Sequence, residues 1–394
     1  MGPQGHNRTQ EAPFSWADHI SRLNTREFKH RYRLSPDAFY ELLGAIRPRI
    51  IAEDTKQAKC SKGEAVAAEV RLAVTLRYLA GGQITDLRLI YHLSVSECYN
   101  SIWRCVDAIN DIYKVEFPID EPEKLAQLEA EFRVSSRNGV WKGQVGAVDG
   151  CHFAMHNPGV EVDNPNRYFV ARKDKFALLA MAVCDARRRF TYWDISVAPT
   201  THDSLAWAAC GLGQKIANGD LPPEYFINGV SAFVLSNQMI IPFGSAAYDD
   251  FDFELSSNRI AIECAFGILV RRWGILWRPL EMAFNRRASV ISCCMKLHNF
   301  CINRSIDEER VAKSGAQAEL LPGRWEKEPT FDENGRPVEH LDTCRTSDES
   351  AAEARARNAS GDRNATRLGL VQAIREAGLS RPASSRARRA ARRS

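Results

Sequence analysis

Two acids in this chain have settings that could let them work together. Asp149 closes the apolar run Gly146-Ala147-Val148 and is followed at once by Gly150. An apolar run, an acid and then glycine is how a strand carries a carboxylate to the rim of a sheet and turns away. Glu263 lies more than a hundred residues later, inside 259–273, a stretch that reads as a helix. A strand-end acid facing a helical acid could cradle a divalent cation, because hard cations take oxygen donors. Each acid also has an ordinary reading, as a turn former or as a solvated helix residue.

Other groups invite chemistry more weakly. Arg172, Lys173 and Lys175 precede an apolar run and could hold phosphates. His152 follows Asp149 by three and could line the same site. His202, Asp203 and Ser204 spell a hydrolase triad, but three consecutive residues cannot all turn toward one atom, so Asp203 is read as a helix cap. Cys294, His298 and Cys301 share one helical face, yet a fourth zinc ligand is not evident, and buried free cysteine is common.

These residues need elements to position them. A polar lead-in is expected over 1–30. Ser35 and Pro36 open a helix carrying Phe39, Leu42, Leu43 and Ile46, with Pro48 as its stop. A polar linker covers 52–63. A second helix runs from Ala65 to Gly81 and Gly82, and Thr85 caps a short third. Ser94 and Glu97 form a capping box for a longer helix with Cys98, Ile102, Val106 and Ile109 on one face. A helix, a short helix, a turn and a longer helix describe a helix-turn-helix unit. Ser96, Tyr99, Asn100 and Arg104 lie on its exposed face and could read DNA in the major groove, although three helices often pack this way for structure alone. Residues 119–140 form a charged connector. Strands are expected at 141–149, 176–184, 190–197 and 224–233, and helices at 204–216, 259–273 and 288–302.

Composition bounds the rest. The chain has 394 residues, enough for two domains and tails. No apolar run approaches the roughly 18 residues that span a bilayer, and the N-terminus lacks a signal core. Eleven scattered cysteines suggest reduced thiols and not a disulfide framework. Residues 304–394 read as a largely disordered tail with one short helix around Leu370 and Ile374. Its end carries Arg386, Arg388, Arg389, Arg392 and Arg393, which could serve as a nuclear import signal or a DNA-binding arm.

Taken in order, the motifs resemble the Harbinger-type transposases. They are 72–81 (LAVTLRYLAG), 146–152 (GAVDGCH), 171–173 (ARK), 182–185 (AVCD), 201–204 (THDS), 262–267 (IECAFG) with Arg272 and Trp273, and 296–301 (KLHNFC). The resemblance covers about 32–302. It implies an α/β catalytic domain, a ribonuclease-H-like mixed sheet flanked by helices, over 141–303. That domain would stand behind an all-α helix-turn-helix region over 31–118. It also implies Mg²⁺ or Mn²⁺ held by an Asp-Asp-Glu set and duplex DNA as substrate, and the basic end of the chain adds the expectation of a nuclear location. Relatives work with a separate Myb-like DNA-binding partner, and a homo-oligomer is left open.

The first Asp maps to Asp149 and the Glu to Glu263, as catalytic residues and metal ligands. The second Asp should follow glycine in 227–233 (INGVSAF), and there the residue is Val230. Valine has no lone pair for a metal. Asp203 is the candidate substitute ligand, whereas Asn228 is expected on the opposite face of its strand. The expectation is a DNA-binding, transposase-derived nuclease domain with impaired cleavage. The alternatives are an active endonuclease using a substitute ligand, and a non-catalytic interaction scaffold.

Overall fold

The computed structural model describes residues 14–51, 66–304 and 364–385. The expected linker at 52–63 and the basic run from Arg386 to Arg393 lie outside the described residues.

The chain is helical earlier than its polar start suggests. Helices α1 (Trp16–Ser21) and α2 (Thr25–Tyr32) fall where a lead-in is expected. Asn24 and Glu27 close a reciprocal capping box on α2, and Phe28 and Tyr32 are buried. The Trp16 ring stacks on Phe39, with centroids 5.4 Å apart. Helix α3 (Pro36–Ile51) starts where Ser35 Oγ accepts the Ala38 N–H. Pro48 does not stop it, because buried Ile50 holds the last turn to the core.

Helices α4 (Ala68–Leu79), α5 (Ile84–Ile90) and α6 (Val95–Ile112) follow in the expected order. Gln83, not Thr85, precedes α5, with no side-chain cap. Ser94 caps α6 by accepting the Glu97 N–H at 3.1 Å. Glu97 does not complete the box and pairs instead with buried Arg71 of α4 at 2.7 Å. Helix α7 (Pro122–Ser135) is the charged connector and buries Leu125, Leu128 and Phe132.

A six-stranded mixed sheet flanked by helices forms the centre, so the protein is mixed α/β. Strand β1 (Gln144–Ala154) pairs antiparallel with β3 (Lys175–Cys184) and parallel with β5 (Phe226–Asn228). Strand β6 (Met239–Ile240) extends β5 in parallel. The two ends of β3 carry β2 (Phe169–Val170) and β4 (Phe190–Asp194), both antiparallel. Helices α8 (Asp203–Ala209) and α9 (Gly211–Ala217) lie between β4 and β5, and α10 (Asp249–Arg272) and α11 (Phe284–Asn303) follow β6.

Alternation along β1, reset by a register shift between Gln144 and Gly146, sends its side chains into two cores. Ala147 and Phe153 join a cluster with residues of α10 and α11. Val145 and Val148 join another with α7, α8 and α9. The first cluster also holds the buried residues of α2, α3, α4 and α6, so the helical region and the sheet share one apolar core.

The short helix expected around Leu370 and Ile374 forms. Helix α12 (Ala365–Glu376) packs Leu370, Val371 and Ile374 against Trp141, Phe226, Ile240, Phe251 and Leu255. Its apolar stripe finds partners more than a hundred residues away, which local composition does not reveal.

Candidate active site

Asp149 is not at a strand end. β1 runs on to Ala154, and Gly150 pairs with Met181 inside the ladder. Glycine is used here for space. A methyl group at Gly150 would come within 3.1 Å of Leu179 Cδ1 and 3.5 Å of Asp203 Oδ1. The Asp149 side chain turns to the other face, toward α10, and the residue is 9% exposed.

On α10, Arg259 reaches toward this acid and toward Glu263 one turn later. Its Nη1 lies 3.9 Å from Asp149 Oδ2 and 2.6 Å from Glu263 Oε1. The approach to Glu263 is close, but it lacks hydrogen-bond alignment, so attraction of charge holds the pair more than a directed bond does. Asp149 Oδ1 accepts the N–H of Gly150 at 2.8 Å. Burial pushes the Asp149 carboxyl up to about 6, against the pull of Arg259 and the Gly150 N–H, and the nearby charges of Glu263 and Asp203 push the same way. Arg259 is 17% exposed at its side chain and Glu263 is 38% exposed.

Asp203 occupies the opposite side of β1, over Gly150. It is the first residue of α8 and not its cap; His202 is the cap, with Nδ1 accepting the Ser204 N–H at 3.3 Å. Burial raises the Asp203 carboxyl, while His202, Arg172 and Lys173 pull it back. His152 turns to this same side. Its Nε2 lies 3.0 Å from the Pro199 carbonyl, which can only accept, so Nε2 carries the proton. Its Nδ1 then accepts from Lys173 Nζ at 3.2 Å. Burial, followed by the charge of Lys173, drives His152 down to about 4, and the ring is neutral at physiological pH. The expected site residues thus fall into two groups on two faces: Asp149 with Glu263, and His152 with Lys173, Arg172 and Asp203.

Val230 lies two residues past the end of β5, is partly buried, and packs against the cluster containing Val148, Phe233 and Leu235. Asn228 does not sit as expected. It pairs with Ala147 across the parallel ladder, which places it on the Asp149 face. It is 0% exposed, and neither its Nδ2 nor its Oδ1 has a hydrogen-bond partner.

This donor set does not fit the two cations that the resemblance implies. A guanidinium stands between the two carboxylates, and the expected third ligand is an apolar side chain. Among the described residues no group of three His, Cys, Asp or Glu side chains could hold a metal ion. The Cys294, His298 and Cys301 face is core: all three residues are buried, and His298 Nε2 donates to the Arg188 carbonyl at 2.7 Å. The nine described cysteines are free thiols.

The helical region presents part of its expected surface. Ser96, Tyr99 and Asn100 are exposed near the start of α6, where the Tyr99 ring stacks on Trp103 at 6.2 Å and 13°. Asn100 Nδ2 donates to Glu97 Oε2 at 3.4 Å. Arg104 is half-buried. Arg172 and Lys175 are exposed at the β2–β3 turn. Arg259 is the residue that sequence reasoning passed over, although its place four residues before Glu263 is the spacing of a helical ion pair.

Residues 148–299 match the family model for DDE superfamily endonucleases. The match begins one residue before Asp149 and takes in Val230, Arg259 and Glu263. It supports a nuclease domain of transposase derivation over this stretch. No curated protein and no solved structure matches the chain. Among the described residues no helix is long and apolar enough to cross a membrane.

Proposed function

We propose that the chain is a DNA-binding protein of Harbinger-type transposase origin whose nuclease domain cuts DNA poorly or not at all. The observation that carries this reading is Val230, an apolar residue at the place of the second catalytic Asp, packed among apolar neighbours. Asp149 and Glu263 are the remaining catalytic carboxylates in this reading. Asp203 is a weak substitute ligand, because Gly150 separates it from the Asp149 face.

DNA is bound through phosphate contacts at Arg172, Lys173 and Lys175. The start of α6 adds Ser96, Tyr99, Asn100 and Arg104 as a helix-turn-helix surface. The basic run 386–393 adds a nuclear import signal, and a Myb-like partner supplies further sequence reading.

The test is a gel-shift and nicking series on the full chain. Duplex binding should weaken steeply as salt rises, as expected for displaced counterions. Nicking with Mg²⁺ or Mn²⁺ should be slight, and Val230→Asp should raise it at least about tenfold by restoring an oxygen ligand. Robust cutting by the unaltered chain would refute the impairment. Absence of any DNA binding at low salt would refute the DNA-binding role and favour a scaffold.

A further inference from the structure

The two carboxylates already have a cation. Arg259 Nη1 stands between Asp149 and Glu263, at 3.9 Å and 2.6 Å, on a helix fixed against β1. Around it α10 lays a buried stripe on the sheet. Phe251 and Leu255 belong to one apolar cluster, and Ile262 and Ala265 belong to another. Asn258 lies on this stripe between the two clusters and is itself buried, so the Arg259 turn of α10 passes over a polar seam. Asn228 opens onto the same face from β5. A buried carboxylate beside a second acid is costly unless a positive charge stands close. Here the chain supplies that charge from Arg259, one helical turn before Glu263, and needs no ion from solution.

We propose that Arg259 is the resident cation of this centre, and that its guanidinium competes with divalent metal for Asp149 and Glu263. Three consequences distinguish this role from an ordinary surface ion pair. The folded chain keeps its carboxylates compensated without metal. Metal binds weakly because it must displace a tethered charge whose effective concentration is high. Removing that charge, without adding any ligand, creates a metal site from the two acids that remain. The inference rests on reading Asp149 and Glu263 as the surviving carboxylates of a metal centre. It does not require that the chain bind or cut DNA.

Binding of Mn²⁺ to the full chain, followed by loss of the free-ion EPR signal, tests it without DNA. The unaltered protein should bind Mn²⁺ weakly. Arg259→Gln should bind it at least about tenfold tighter, since a competing unit charge a few ångströms away is gone. Adding Asp149→Asn to Arg259→Gln should erase the gain. Equal affinity in the unaltered protein and Arg259→Gln would overturn the proposal, as would a gain that survives Asp149→Asn. If Arg259→Gln does not fold by circular dichroism, melting of the unaltered chain decides. The expected midpoint is the same in EDTA and in Mn²⁺. A Mn²⁺-dependent rise that Asp149→Asn removes would overturn the proposal. DNA nicking is not read in either arm, so failure here is separable from failure of the nuclease reading.

Discussion

At the scale of single residues, Asp149 is held in conflict. Burial favours its protonated form while Arg259 favours the carboxylate, and burial prevails, leaving the group near 6 against an ordinary 3.8. A folded-state value above the unfolded one stabilises the fold most at low pH. That contribution is fully present below the unfolded value and is lost as pH rises through the folded one. Asp149→Asn cannot lose a proton, so its stability relative to the unaltered chain should climb between about pH 4 and 6, by on the order of 2 kcal/mol. Urea unfolding across that range reads the difference, and a difference that stays flat would contradict the burial account. The acid itself was legible from its apolar run and following glycine, and so was Glu263 on its helix. Their shared counterion was not, because an Arg four residues before a Glu also reads as an ordinary solvated helix pair. Asn228 was misplaced because residues two apart on a strand share a face, so a count back from Val230 does not send Asn228 to the opposite one. The pairing with Ala147 sets the face instead.

At the scale of elements, the helical region was the more legible part, and its departures follow from long-range partners. Ser94 opens α6 as its type and position require. Glu97 leaves the local box because Arg71, 3% exposed on α4, needs a buried anion more than the helix start needs a second bond. Arg71 Nη1 also donates to Ser101 Oγ at 3.2 Å, so one guanidinium ties α4 to two turns of α6. Arg71→Ala leaves Glu97 without its buried partner and opens a gap between the helices. The expected loss is roughly 2–4 kcal/mol, reduced from a fully buried pair because Glu97 is partly solvated. Chemical denaturation should show it as a lower midpoint. A loss under about half a kcal/mol would mean that the pair is a surface contact in effect. Strand limits were harder to read than strand existence. The expected turn after Asp149 proved to be mid-strand because β3 offers backbone partners from Ala177 to Cys184. No local residue encodes the length of a neighbouring strand.

At the scale of the whole molecule, α12 closes the structure over the first turns of α10. Arg381 Nη1 pairs with Asp249 at 2.7 Å, and the Arg381 N–H donates to Asp250 at 2.7 Å. Arg367 donates to the Ile241 carbonyl at 3.2 Å and lies 3.7 Å from the centroid of the Phe243 ring. Removal of residues 364–394 should uncover the apolar surface of Trp141, Phe251 and Leu255. The expected outcome is a lower melting midpoint together with new binding of an apolar dye. An unchanged midpoint would mean that the contact adds little. A polar, charge-rich tail hid this arrangement, because four large apolar residues in twelve look ordinary until their distant complement is known.

The placement of α12 also sets an order of events. Translation proceeds at about 5–20 residues per second, and folding follows the emerging chain. The helix that carries Arg259 and Glu263 is synthesised well before the segment that covers its first turns. The packing of its first turns therefore waits until Leu379 has emerged. A polypeptide interrupted anywhere between Arg272 and Ala365 would carry every residue of the candidate centre, yet the helix presenting two of them would be left half-covered. Emergence of residues 364–379 thereby becomes a condition for covering the first turns of that helix.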